Sequence, residues 1–170
     1  MKIGDQPHNT TSIMPSAMRA LVLYASLTGN TKKVAGAIAE ELSCRAVDVR
    51  REELPELTGV ELLLVGDGVY GGKPSRAMVR ALRSLPELSG VKAAVFGTYG
   101  AKPGQLPVLA TLLEGKGAQV IGKFTCPGRD WFTLGLLRWG RPNREDLAAA
   151  RAFARELARE AGYSPRESSR

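Results

Sequence analysis

Two kinds of segment alternate along the chain, short apolar runs and longer stretches of mixed polarity. Apolar runs of about four to eight residues are typical of strands buried on both faces of a parallel sheet. The run LLLV is the most apolar and ends at Gly66, as expected for a central strand. Five strands are predicted in this way, at Met18–Ala25, Ala46–Val49, Leu62–Val65, Val91–Gly97 and Ala118–Thr125.

The longer stretches have apolar residues three and four positions apart, which predicts helices. Asn143 is a suitable N-cap for the last of them, with Asp146 at the third helical position. The predicted helices cover residues 29–43, 75–85, 106–114 and 143–162. Strands that alternate with helices indicate an α/β domain whose parallel sheet is covered on both faces.

The domain is expected to span residues 18–162. Residues 1–17 are predicted to be a disordered N-terminal extension, because they are polar and lack the apolar core of a secretory signal. Residues 163–170 are predicted to be a polar tail, and Cys126–Pro142 a loop rich in Gly, Pro and aromatic residues. Ligands of such folds bind beyond the carboxyl ends of the strands, so the loops after the first, third and fourth strands matter most.

The loop after the first strand reads Ser26-Leu27-Thr28-Gly29-Asn30-Thr31 and leads into a helix. Backbone N–H groups at a helix start attract anions, and Gly29 allows the backbone to approach one closely. The loop holds no lysine, which distinguishes it from a Walker A motif. The pattern indicates a site for a phosphate monoester held by neutral donors.

The pattern S-x-T-G-N-T after the first strand of a five-stranded α/β domain resembles the phosphate loop of flavodoxins. The resemblance covers about Met18 to Gly162. It implies a three-layer sandwich with strand order 2-1-3-4-5 and an FMN cofactor. It also places the FMN phosphate on six residues, Ser26, Leu27, Thr28, Gly29, Asn30 and Thr31.

The resemblance assigns the flavin ring to two further loops. Flavodoxins lay an aromatic side chain of the loop after the third strand on the flavin, followed by a glycine whose peptide can rotate. Tyr70 followed by Gly71 matches that pattern within the loop of residues 67–72, which contributes Gly68, Val69, Tyr70, Gly71 and Gly72. The loop after the fourth strand, residues 97–102, contributes Gly97, Thr98, Tyr99 and Gly100, with Tyr99 as the ring contact.

Charge separates this chain from the well-known flavodoxins, which are acidic. The net charge is +7, and Lys73, Arg76 and Lys102 outnumber Asp67 in the loops near the expected ring. We therefore expect a higher flavin potential than in acidic flavodoxins, and a redox partner with an acidic surface. The other basic residues lie beside Glu on helices and form no aromatic-interleaved stripe, so no nucleic acid is expected as a partner.

Several classes of protein are excluded by what the sequence lacks. The sole histidine, His8, lies in the extension, and the two cysteines form no C-x-x-C pair. No catalytic side chain and no metal site are therefore expected. Cys126 is interpreted as a small buried hydrophobe rather than a redox thiol. Asp67 lacks the acidic pair that a phosphorylated receiver domain requires. No apolar run is long enough to cross a membrane, so a cytoplasmic protein is expected.

Three functions remain open at this point. The leading one is an FMN-binding electron carrier. The alternative is an FMN-dependent oxidoreductase, an NAD(P)H:quinone reductase or a protoporphyrinogen-oxidase-like protein, to which the apolar 126–142 loop would supply a second pocket. The third is a basic binding module without flavin. The sequence leaves the oligomeric state open.

Overall fold

The structure is a computed structural model that describes residues 19–99, 104–128 and 140–163. Strands and helices alternate through these residues, which confirms the predicted α/β class. The elements are β1 Arg19–Ala25, α1 Asn30–Glu41, β2 Arg45–Asp48, β3 Val60–Gly68, α2 Arg76–Ser84, β4 Lys92–Tyr99, α3 Leu106–Glu114, β5 Gln119–Pro127 and α4 Arg144–Ala161.

The five strands form one parallel sheet in the order β2-β1-β3-β4-β5, as expected. The order reverses between β1 and β3, because the chain runs outward to β2 and then crosses back. Register aligns the strand ends there: Ala25 pairs with Asp67, and Asp67 pairs with Gly97. The loops after β1, β3 and β4 therefore meet at one edge of the sheet.

Apolar residues on both faces of the central strands explain the three layers. Consecutive residues of a strand point to opposite faces. Leu23 and Val65 pack on the side of α2 and α3, whereas Val22 and Leu64 pack on the side of α1 and α4. Each face thus has its own core, and the sheet holds both helix pairs in place.

Most element boundaries differ from the predicted ones by one to three residues, and β5 continues to Pro127, so Cys126 and Pro127 belong to the strand and not to the predicted loop. β3 continues to Gly68, three residues past the LLLV run, because Asp67 and Gly68 pair with Gly97 and Thr98 of β4. The buried Asp67 is tolerated there because its carboxylate is hydrogen-bonded within the protein. Tyr163 is buried, and its hydroxyl donates to the Leu42 carbonyl at 2.6 Å. The folded unit therefore includes Tyr163, which the sequence assigned to the tail.

The predicted capping of α4 is confirmed. Asn143 accepts from the Asp146 N–H, and the Asp146 carboxylate accepts from the Asn143 N–H. The predicted extension at residues 1–17, the end of the tail and most of the 126–142 loop lie outside the described residues. Within the described ranges, no helix is both long and apolar enough to cross a membrane.

Candidate functional site

The loop between β1 and α1 is a tight turn that ends in a left-handed residue. Gly29 is the N-cap of α1 with φ of 86°, a conformation that side chains other than glycine rarely adopt. The Ser26 hydroxyl accepts from the Gly29 N–H at 3.1 Å and holds the turn closed. No side chain of the described residues caps α1, and its first turn holds no acidic residue. The helix start thus keeps the positive end of its dipole available to an anion.

Two polar side chains of this loop turn inward instead of outward. The Thr31 hydroxyl lies 3.0 Å from the Thr98 hydroxyl at the end of β4, and both residues are buried. Asn30 is also buried and lies against Gly128, where a Cβ would come within 2.8 Å of its Nδ2 atom. These side chains attach the start of α1 to β4 and β5. Leu27 and Thr28 are the exposed residues of the loop.

The loop after β3 contains a two-residue turn between Tyr70 and Lys73. Each of these residues donates its N–H to the carbonyl of the other, at 2.9 and 3.2 Å. Gly71 and Gly72, between them, have φ of 59° and 79°. A turn with two consecutive positive φ angles strongly favours glycine. The Gly-Gly pair is therefore required by the turn itself, independently of any ligand.

Tyr70 joins the second loop to the first. Its hydroxyl accepts from the Leu27 N–H at 3.3 Å, and its ring lies over Gly68. A Cβ on Gly68 would be 3.2 Å from the Tyr70 hydroxyl oxygen, so glycine leaves the ring room to lie there. The hydroxyl oxygen accepts from Leu27, and its own hydrogen remains able to donate to an anion.

The buried carboxylate of Asp67 accepts hydrogen bonds from both ends of the second loop. One carboxylate oxygen accepts from the Gly68 N–H at 2.8 Å and the other from the Ser75 N–H at 2.6 Å. Burial raises the pKa of this carboxyl to about 6, although the hydrogen bonds from Ser75 and Gly68 and the charge of Arg50 oppose the shift. The sequence suggested no structural role for Asp67, because its hydrogen-bond partners are backbone groups.

Gln105, just before α3, connects the second and third loops. It is fully buried, and its Nε2 atom donates to the carbonyls of Asp67 at 3.1 Å and Thr98 at 3.4 Å. Its Oε1 atom has no hydrogen-bond partner among the described residues. A Cβ at Gly97 would come within 2.2 Å of Nε2 and 2.9 Å of the Asp67 carbonyl oxygen, so glycine leaves room for this contact. Gln105 was not predicted to be a site residue, because its only signal in the sequence is a polar side chain beside an apolar helix.

The third loop is described only in part. Gly97 and Thr98 are buried within β4, and Tyr99 is half-buried at its end. Gly100, Ala101 and Lys102 lie outside the described residues. Thr98 therefore lies beneath the loops, hydrogen-bonded to Thr31, and Tyr99 is the described residue of this loop nearest the surface.

Arg50, which follows β2, was also missed in the sequence. Its Nη1 atom donates to the Ser26 carbonyl at 3.0 Å, so a cation contacts the backbone of the first loop. Lys73 and Arg76 are exposed nearby in the second loop and at the start of α2.

Cys126 is buried at the end of β5, as the sequence analysis expected of a small hydrophobe. Burial, followed by the charge of Asp146, raises the pKa of its thiol to about 12. A thiol with such a pKa stays protonated and is a poor nucleophile. No group of metal-ligating side chains occurs among the described residues.

The strand order and the turn at Gly29 define an α/β protein with the flavodoxin-like fold. The family model Flavodoxin_3, a flavodoxin domain, matches residues 21–131, and the chain belongs to this family. Membership implies flavin binding.

Two curated proteins are similar to this chain, and the second of them has a flavodoxin-like domain. An uncharacterized protein of Methanocaldococcus jannaschii is 28% identical over 153 residues, which cover 82% of this chain and 98% of that protein. The flavodoxin-like domain-containing protein BilS of Clostridioides difficile is 30% identical over 122 residues, 66% of this chain and 67% of BilS.

Solved structures agree on the fold. A flavodoxin from the domain Archaea superposes with a TM-score of 0.68 at 21% identity, covering 86% of this chain and all of that one (100%). The flavodiiron core of Flv1 from Synechocystis gives 0.69 at 17% identity, covering 86% of this chain and 36% of that chain. At these identities the likeness establishes the fold alone.

Proposed function

We propose that this protein binds FMN and carries electrons between redox partners. The observation that carries the proposal is the contact between the Tyr70 hydroxyl and the Leu27 N–H, 3.3 Å apart. It brings the aromatic residue of the second loop against the loop at the start of α1. Because the two loops are in contact, one ligand could place its phosphate at the helix start and its planar ring beside Tyr70.

The first loop suits the phosphate of FMN. The dipole of α1 and the backbone N–H groups at the helix start would bind it, together with the hydroxyls of Ser26 and Thr28. The Leu27 and Gly29 N–H groups donate to Tyr70 and Ser26 and would keep the loop in shape. Asn30 and Thr31 would position the helix start through their contacts with Gly128 and Thr98. These residues fit the cofactor, because they offer neutral donors and a positive helix end without an acidic side chain in the first turn.

The second and third loops suit the flavin ring. We propose that Gly68, Val69, Tyr70, Gly71 and Gly72 border one side of the ring, and Gly97, Thr98, Tyr99 and Gly100 the other. No described atom lies within 4 Å of a Cβ built on Gly71 or Gly72, so this turn leaves space for a ligand. FMN, when bound there, would accept and release electrons at its ring.

The exposure of the loops and of two cations beside them supports the role of an electron carrier. The ring would be held by exposed loops at the edge of the sheet, and Lys73 and Arg76 would attract a partner with an acidic surface. We propose a cytoplasmic location for this exchange. Nothing among the described residues favours the FMN-dependent oxidoreductase or the binding module without flavin over the carrier.

Titration of FMN with the purified protein tests the proposal. We expect the flavin fluorescence to be quenched on binding, and riboflavin, which lacks the phosphate, to bind at least about tenfold more weakly. Protein-bound FMN should be reduced rapidly only when a separate flavodoxin reductase is added to NADPH. Unchanged FMN fluorescence would overturn the proposal. Steady NADPH oxidation with a quinone and no reductase would replace the carrier by the oxidoreductase.

A further inference from the structure

A cavity of about 500 Å³ lies between the first loop, the residues after β2 and the start of α2. Three of the side chains that line it are cations from separate parts of the chain, Arg50, Lys73 and Arg76. The lining also includes Leu27, Tyr70 and Ser75. The cavity therefore shares Leu27 and Tyr70 with the proposed flavin site, and differs from it in its charge.

Arg50 is held in position for this cavity. Its Nη1 atom donates to the Ser26 carbonyl at 3.0 Å, and its backbone N–H donates to the Asp48 carboxylate at 3.1 Å. A guanidinium has five N–H donors, so one bond to Ser26 leaves the others for a ligand. Within residues 19–99, 104–128 and 140–163, no carboxylate oxygen lies within 4.0 Å of the charged nitrogens of Arg50, Lys73 or Arg76.

Two acidic residues that interact with Arg50, Asp48 and Asp67, accept backbone hydrogen bonds. Asp67 is buried, and both its oxygens accept backbone N–H groups. The Asp48 carboxylate, also buried, accepts from the Arg50 N–H and lies 3.8 Å from the Arg51 side chain. Neither carboxylate lines the cavity. Arg50 interacts electrostatically with Asp67, but its side chain forms no ion pair with either carboxylate.

The start of α2 adds to this charge. Ser75 caps the helix by accepting from the Met78 N–H, and the first turn of α2 contains no acidic residue. Arg76 and Ala77, the first two residues of the helix, both line the cavity. Their N–H groups and the positive end of the helix dipole would reinforce the three side chains in attracting an anion.

We propose that this cavity binds a carboxylate or phosphate group of a small molecule. Its volume falls in the range of small-molecule pockets, about 300–1,000 Å³, so it is large enough for a small ligand. A molecule anchored by Arg50, Lys73 and Arg76 would lie beside Tyr70, and hence next to the flavin ring. The position beside the flavin ring depends on the proposed function, whereas the anion site does not.

Calorimetric titration of the FMN-saturated protein tests the site, with inorganic pyrophosphate and succinate as separate probes. FMN saturation keeps the first loop filled, so a probe reports on the cavity. We expect at least one probe to bind, and Lys73→Gln and Arg76→Gln each to weaken it at least about fivefold. Arg83→Gln removes the same charge from an exposed position of the same helix and should change the affinity less than about twofold.

The two probes identify the chemistry: tighter binding of pyrophosphate indicates a phosphate ligand, and tighter binding of succinate a carboxylate.

The proposal is overturned if neither probe binds, or if Arg83→Gln weakens binding as much as Arg76→Gln does. It is also overturned if Lys73→Gln and Arg76→Gln abolish FMN binding, since the cavity would then be part of the flavin site. If the wild-type protein fails to bind FMN, the same titrations are run without it. Probe binding lost in Arg76→Gln would then support the anion site and contradict only the proposed function.

Discussion

The buried carboxylate of Asp67 accepts a hydrogen bond from the backbone N–H of Ser75, with 2.6 Å between oxygen and nitrogen. These residues stand at the two ends of the loop that carries Tyr70. The other oxygen of Asp67 accepts from Gly68, so one side chain closes the loop and joins β3 to the N-cap of α2. The geometry of the second loop thus depends on a group that no ligand needs to touch.

Asp67 should make the stability of the protein depend on pH. Burial raises its pKa from 3.8 to about 6 in the folded state. Between these values the folded protein holds a proton that the unfolded chain has released, so the free energy of unfolding falls as the pH rises. Relative to Asp67→Asn, we expect wild-type stability to fall by up to about 1.4 kcal/mol per pH unit across this window.

Urea unfolding at a series of pH values measures this difference. Glu61→Gln, which removes an exposed carboxyl from the same strand, should give a curve parallel to that of wild type. Parallel curves for wild type and Asp67→Asn would contradict the prediction.

Gln105 should stabilise the protein through the two carbonyls to which it donates. Gln105→Leu keeps a side chain of similar size and leaves the buried carbonyls of Asp67 and Thr98 without this donor. We expect the free energy of unfolding to fall by about 1–3 kcal/mol, the usual cost of a buried polar group left unpaired. Gln119→Leu, at an exposed position of β5, is the matched control and should change it by less than about 0.5 kcal/mol. Equal effects of the two substitutions on urea unfolding would refute the role of Gln105.

The buried pair Thr31 and Thr98 should behave as a coupled unit. Thr31→Val keeps the shape of the side chain and leaves the Thr98 hydroxyl without its partner 3.0 Å away. We expect it to lower the free energy of unfolding by about 1–2 kcal/mol. The double variant Thr31→Val/Thr98→Val should lose less than the sum of the single variants, because it leaves no hydroxyl unpaired. Strict additivity in the double-mutant cycle would show that the two hydroxyls do not interact.

The Tyr70 hydroxyl should contribute to binding the phosphate rather than the ring. Tyr70→Phe keeps the aromatic ring and removes the group that lies 3.3 Å from the Leu27 N–H. We expect FMN to bind about three- to tenfold more weakly, and the affinity for riboflavin to change little. Tyr70→Ala should weaken both ligands, because it also removes the ring. Fluorescence titration measures the four affinities, and an equal loss for FMN and riboflavin in Tyr70→Phe would contradict the assignment.

The fold could be predicted from the sequence because its signals are local. Consecutive residues in β1, β3 and β4 are apolar, so both faces of these strands carry apolar side chains. This pattern is typical of a parallel sheet that is covered on both faces. Asn143 and Asp146 lie three residues apart, so their capping box is also visible in the chain. The strand order came from the resemblance, and the register of β1, β3 and β4 agrees with it.

The polar contacts beneath the loops could not be predicted, because they join residues far apart in sequence. Gln105 donates to Asp67 across 38 positions, and Thr31 contacts Thr98 across 67. Most of these partners are backbone carbonyls or N–H groups, which every residue has, so the sequence carries no sign of them. The side chain of Asn30 is an example. It was expected to contact the phosphate, and it lies against Gly128, which is 98 positions away in the sequence and could not be identified as a neighbour from it.

Charge near the proposed ring should raise the midpoint potential of bound FMN. Lys73 belongs to the turn that carries Gly71 and Gly72, and an adjacent cation stabilises the negative charge that reduction adds to a bound group. We therefore expect Lys73→Gln to have a lower midpoint potential than wild type at low ionic strength. Lys73→Arg, which keeps the charge, should restore the wild-type value.

Redox titration at two salt concentrations separates this effect from a change in structure. A Coulombic effect on an exposed residue is screened by salt, so the gap between wild type and Lys73→Gln should narrow as ionic strength rises. Arg83→Gln, which changes the net charge equally at an exposed site outside the loops, should leave the potential unchanged. A potential lowered as much by Arg83→Gln as by Lys73→Gln would mean that net charge, and not the position of Lys73, sets it.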